Sequence, residues 1–361
     1  MKVTYTGKMD IGGSGIGTTA WHQVKPLLDN NLIEQIYTTK MSKPVNDDRL
    51  VTYIPELKYS YPIGYLAGDI FFDGVTALGM ENPEVIHTWG AQCLYQLQTH
   101  PDAVSIVNLY SAHPYIQDQL LKNSPLYRPN HLHMKKFAEE LELCDHIFIP
   151  SDFILSSLKD VGLHRKAKIV PFGVDLEKFN VPKNNEKAEE FQVVFVGSNW
   201  KRKGLMTLLQ AWDNLKFEKA KLYVCGVPDN LGAWLKENTP FESDNVHFGW
   251  VDDLVELYQK SHVFCLPAYE DGCPLATYEA MACGTLPIIT NTTGTRQHVY
   301  NGRNGFVLNA GNVKELGELL SGLYDDRNAC VDIGLKARQH IEAFPWERHE
   351  QDYLNWIKGL L

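Results

Sequence analysis

QVVFVGSNWKRKGLMTLLQAW, Gln192–Trp212, reads as an apolar strand, a loop with three consecutive basic residues, and a helix. The strand ends at Gly197 and the helix follows Gly204. The same order recurs on both sides of it. Earlier strand-like runs are KVTYT (Lys2–Thr6), EVIHT around Ile86, VSIVNLY (Val104–Tyr110) and HIFIPS (His146–Ser151). Later ones are KLYVCG (Lys221–Gly226), NVHFG (Asn245–Gly249), HVFCLP (His262–Pro267) and LPIIT (Leu286–Thr290). Short apolar runs alternating with longer helical patterns predict α/β architecture, with parallel sheets flanked by helices. NVPKNNEKAEE (Asn180–Glu190) separates the two series and reads as a linker. The expectation is therefore two doubly wound domains, 1–175 and 190–343, facing across a cleft. FPWERHEQDYLNWIKGLL predicts a final amphipathic helix over 345–361, with Trp346, Tyr353 and Trp356 packing back on the first domain.

The chain's 361 residues fit two domains, and 44% hydrophobic with 22% charged residues is globular composition. Net charge is −10 and both halves are acidic, so no whole-domain charge supports binding to nucleic acid or an anionic bilayer. No run approaches 18 apolar residues, and MKVTYTGKMD lacks the apolar core of a signal peptide. Seven cysteines without a C-x-x-C pair, several in apolar runs, predict reduced thiols in a cytoplasmic protein.

Three stretches carry chemistry. MDIGGSGIGTTAW (Met9–Trp21) is a glycine-rich turn between a strand and a helix, suited to close approach by a phosphate. Gly15–Ala20 also fits the dinucleotide pattern G-x-G-x-x-A, but the following strand, LIEQIYTTK, ends without the acid that a nicotinamide cofactor needs. A plain surface turn is the alternative; a dehydrogenase is not. In GSNWKRKG (Gly197–Gly204), Lys201, Arg202 and Lys203 suit a diphosphate, though all three cannot point one way. In AYEDGCPLATYEAMACGTLPIIT (Ala268–Thr290), a helix from near Pro274 offers its first amides to a phosphate, with Glu279 about one turn inside.

Together these blocks resemble the retaining GT-B glycosyltransferases of the family-4 kind, the glycosyl transferases group 1, whose two domains are Rossmann-like. Four stretches match in order: Gly12–Gly17, Cys144–Phe179 with PFGVDLEKF, FVGSNWKRKGLMTLLQA, and EDGCPLATYEAMACGTLPII. NLYSAHPYIQDQL (Asn108–Leu120) is similar to an acceptor-side segment in one branch. The resemblance implies that Gly12 and Gly13 set amides against the donor's phosphates. Lys203, six residues after Gly197, would contact the diphosphate, and Glu279 the ribose hydroxyls. Asp271, eight residues before Glu279, would face the transferred sugar, with Gly272 turning the chain and the amides near Pro274, Leu275 and Ala276 meeting phosphate and sugar. His113 matches the acceptor-side histidine; a loop-capping role is its alternative, and His87 reads as a strand-end packing residue. Base contacts are expected near Gly226–Val227 and from Gly249 to Val251. Two departures stand out. Ser198 replaces the family's arginine, leaving Arg202 or Lys201 to supply a second cation, and Asp271 replaces a glutamate, with Glu270 competing for its place.

The implied activity is transfer of a hexose from a UDP- or GDP-linked sugar to an acceptor hydroxyl, with retention and without metal or other cofactor. Lys203, the glycine loop and the helix N-terminus would stabilise the leaving diphosphate. A nucleotide-sugar epimerase and a non-catalytic nucleotide-sugar binding module on the same scaffold are the alternatives.

Overall fold

The computed structural model describes residues 1–45, 50–56, 63–124, 127–184 and 186–361, with the backbone alone for 63–65. The chain forms two compact units. The first comprises Met1–Ile116, Pro129–Phe172 and Trp346–Leu361; the second comprises Gln117–Arg128 and Gly173–Pro345.

Among the described residues, seven strands build the first sheet: β1 (Val3–Ile11), β2 (Ile33–Met41), β3 (Val51–Tyr53), β4 (Val85–Trp89), β5 (Val104–Asn108), β6 (His146–Ile149) and β7 (Ala167–Ile169). They lie in the order β3-β2-β1-β4-β5-β6-β7, every pair parallel. Six of the described strands build the second: β8 (Phe191–Val196), β9 (Ala220–Cys225), β10 (Val246–Gly249), β11 (Val263–Leu266), β12 (Leu286–Thr290) and β13 (Phe306–Leu308). Their order is β10-β9-β8-β11-β12-β13, again all parallel. The central strands are apolar because helices cover both faces; β11 and β12 are buried along their whole length. In each sheet the chain winds outward from its first strand and then crosses to the other side of it. The crossings fall between β1 and β4 and between β8 and β11, and ligands of such sheets bind at the strand ends there.

The division differs from the sequence expectation in two places. The chain passes between units at Phe172/Gly173 rather than within 175–190, and Gln117–Arg128 folds with the second unit. The polar composition of Asn180–Glu190 hides its anchors, which are long-range. Gln259 Nε2 donates to Asn180 O (2.8 Å) and Lys187 Nζ to Gly284 O (3.1 Å). Of that stretch, Asn185 lies outside the described residues.

The last helix, Trp346–Leu360, buries Tyr353, Leu354 and Ile357 in the first unit's core with Val3, Tyr5, Ile106 and Phe148. His22 lies flat on Trp346 at 4.2 Å and meets Glu350 at 2.6 Å. Beneath, His87 is fully buried on β4, its Nδ1 2.6 Å from the Tyr353 hydroxyl and its Nε2 3.0 Å from Asn108 Oδ1. Burial pushes its pKa down to about 4. Both ring nitrogens are therefore engaged in the core. Among the described residues no helix is long and apolar enough to cross a membrane.

Candidate functional site

The second unit gathers its charged residues at the crossing of its sheet. β8 delivers the loop Gly197–Gly204, and β11 delivers Pro267–Pro274. The two loops press together. Gly204 has φ +74°, and a Cβ there would stand 1.9 Å from Pro267 O, so only glycine fits. Tyr269 N–H donates to Arg202 O (2.9 Å), joining the loops through their backbones. On the other flank, Asp271 N–H donates to Thr292 O (3.1 Å) and Gly294 N–H to Asp271 O (2.8 Å). The acid loop is thus pinned on both sides.

Within this frame the cations meet the acids. Lys203 Nζ lies 2.7 Å from Asp271 Oδ2, and its stem crosses Gly197, where a Cβ would stand 2.1 Å from Lys203 Cδ. Arg202 Nη1 donates to Glu270 Oε2 (2.9 Å), and Nη2 lies 3.7 Å from Asp271 Oδ2. Burial alone would raise the Asp271 pKa, but Lys203 and Arg202 outweigh it and hold the carboxyl below its usual range. Glu270 is fully buried and also accepts from Gln117 Nε2 at 2.7 Å. Lys201 and Ser198 are exposed.

Directly after the acid loop the helix Leu275–Ala282 begins, with Pro274 at its cap and no side chain closing its N-terminus. Its first N–H groups, those of Leu275 and Ala276, find no acceptor within the helix. Glu279 sits one turn further on. Burial lifts its carboxyl to about 6, opposed by the Tyr258 hydroxyl, which donates to Oε2 at 3.3 Å. Beside these, Gly226 N–H donates to Gly249 O (3.1 Å), so the loops after β9 and β10 are tied together. Val227 is buried there, Val251 is exposed, and Trp250 is 77% exposed.

In the first unit, the glycine loop folds back on itself. Gly12 N–H donates to Gly17 O (2.8 Å) and Gly13 N–H to Asp10 O (3.0 Å). Both amides that the resemblance sets against the donor's phosphates are hydrogen-bonded within the turn. Gly12 takes φ +86°, and a Cβ at Gly17 would stand 2.1 Å from Asp10 O. A turn this tight needs those two internal bonds. His113 is buried in the loop before the helix Pro114–Leu121; its N–H donates to Ser157 Oγ (2.9 Å), and its Nδ1 has no partner. Burial lowers its pKa to about 4. Gln117 and Tyr258, which hold two of the site's acids, carried no signal in the sequence, because each pairs with a residue far along the chain. Among the described residues no group of three or more His, Cys, Asp or Glu is arranged to hold a metal ion.

Two doubly wound parallel units of this kind are those of the GT-B fold. The family model of glycosyl transferases group 1 matches residues 177–340, which lie within the second unit. Among curated relatives, the capsular polysaccharide biosynthesis glycosyltransferase CapM of Staphylococcus aureus is 28% identical over 205 residues, covering 52% of this chain and 53% of CapM. N,N'-diacetylbacillosaminyl-diphospho-undecaprenol alpha-1,3-N-acetylgalactosaminyltransferase of Campylobacter jejuni is 28% identical over 200 residues, covering 55% and 52%. The chain spans about half the length of the curated relatives it matches. Sucrose-phosphate synthase from Thermosynechococcus elongatus shares the fold with a TM-score of 0.79 at 17% identity, over 99% of this chain and 98% of that one. Anabaena HepE in complex with UDP-glucose does so with a TM-score of 0.72 at 14% identity, over 99% and 100%.

Proposed function

We propose that this protein is a glycosyltransferase that moves a hexose from a nucleoside diphosphate sugar to an acceptor hydroxyl, with retention and without a metal. The observation that carries the reading is the cluster at the β8/β11 crossing. Lys203 and Arg202 meet Asp271 and Glu270 there, beside the open N-terminus of the helix Leu275–Ala282. Cleaving an anomeric C–O bond builds negative charge on the departing diphosphate and positive charge on the sugar. Lys203 and the amides of Leu275 and Ala276 stabilise the first. Asp271, released from Lys203 when phosphate takes that cation, faces the second and selects the sugar. Glu279 accepts the ribose hydroxyls. His113 acts on the acceptor side. Anabaena HepE, which shares the fold and is seen in complex with UDP-glucose, favours a UDP-linked donor for the first trial.

Incubation with labelled UDP- and GDP-sugars tests this. Slow hydrolysis of the donor without acceptor supports the transferase. An isomerised donor would make the protein an epimerase, and a donor bound but unchanged would make it a binding module.

A further inference from the structure

The segment Gln117–Arg128 begins inside the acceptor-like stretch Asn108–Leu120, yet it folds with the second unit and touches the donor-side loops at two points. Gln117 Nε2 donates to Glu270 Oε2 (2.7 Å), and Ser124 Oγ donates to Lys201 O (2.8 Å). These contacts bracket Arg202: one holds the acid that its guanidinium grips, the other the carbonyl just before it. Glu270 has no exposed surface, so its carboxylate depends on such donors to stay in place. The family's usual arginine is absent, since position 198 is serine. A diphosphate bound beside Lys203 therefore needs a cation from elsewhere.

Resting on the donor reading above, we propose that Gln117 is a positioning residue which sets Arg202 as the second diphosphate cation in place of the arginine missing at Ser198. Arg202 has five N–H donors in a rigid fork, and Glu270 takes one through Nη1. With Gln117 satisfying the same oxygen, Glu270 holds the fork's orientation without claiming more of it. Without the Gln117 amide, the buried carboxylate draws harder on Arg202 and turns it away from phosphate. The β-phosphate then loses a partner, whereas a nucleoside monophosphate, which lacks that group, does not.

The test is titration calorimetry with UDP, GDP and ADP and the matching monophosphates, followed by a double-mutant cycle on the diphosphate that binds best. Q117A is expected to weaken that diphosphate about tenfold, the scale of one charged hydrogen bond, and to leave the monophosphate unchanged. R202A is expected to do the same, and Q117A on the R202A background to add nothing. Q117M keeps the volume without the donor and serves if Q117A fails to fold. Equal losses for diphosphate and monophosphate, or additive losses in the cycle, overturn the role of Gln117 and leave the donor reading standing. A wild-type protein that binds no nucleoside diphosphate overturns both.

Discussion

Lys203 Nζ and Asp271 Oδ2 stand 2.7 Å apart, so the residues assigned to the donor's phosphate and to its sugar are each other's counter-ions. On the proposed donor reading, a diphosphate competes with Asp271 for the Lys203 ammonium and frees the carboxylate for the sugar. On that reading the pair would couple recognition of one end of the donor to the other.

Lys203→Ala should lower turnover by roughly 10²–10³-fold, as for removing a donor aimed at developing charge. Gly197→Ala should produce part of the same loss without touching the amine, because the new methyl meets the Lys203 stem. Measure kcat at saturating donor. A loss below about threefold at Lys203, with a large one at Arg202 or Lys201, moves the phosphate role to that neighbour.

The acids should fail differently. Glu279→Ala removes binding common to ground and transition states, so donor KM should rise about 10–150-fold with kcat less affected, and nucleoside diphosphate affinity should fall with it. Asp271→Ala should depress kcat and blur the choice between epimeric sugars while diphosphate binding survives. Glu270→Ala is the control for register. Equal weakening of free diphosphate by Asp271→Ala and Glu279→Ala would sink the assignment.

The raised pKa of Glu279, about 6, gives two pH dependences of opposite sign. Its folded value lies above the unfolded one near 4.5, so its contribution to stability is present below 4.5 and lost as pH rises through 6. Donor binding runs the other way, since the carboxylate is the better acceptor for ribose hydroxyls. The diphosphate itself titrates nearby, so Glu279→Gln is the comparison. Between pH 7 and 5 the wild type should lose about tenfold more affinity than that variant. Parallel pH profiles would remove Glu279 from the ribose.

Deleting residues 346–361 should destabilise the first unit, because Tyr353, Leu354 and Ile357 belong to its core. Tyr353→Phe is the finer test. It leaves His87 Nδ1 buried without its partner, at a cost of about 1–3 kcal/mol. Denaturant unfolding reads both; unchanged midpoints would mean that the helix adds nothing to the fold.

What the amino-acid sequence determined by itself was local. Strand, turn and helix recur within windows of a few residues, so the α/β class and both doubly wound series were legible. The offsets from Gly197 to Lys203 and from Asp271 to Glu279 were equally so. The edge strands β3, β7 and β13 were not, since three residues hold no periodicity. Only the tertiary structure joined residues distant along the chain: Lys203 to Asp271, Gln117 to Glu270, and His87 to Tyr353. It also showed that the amides of Gly12 and Gly13 close their own turn. A glycine pattern records where the backbone can bend, whereas the acceptor each N–H finds depends on how the bent chain meets itself.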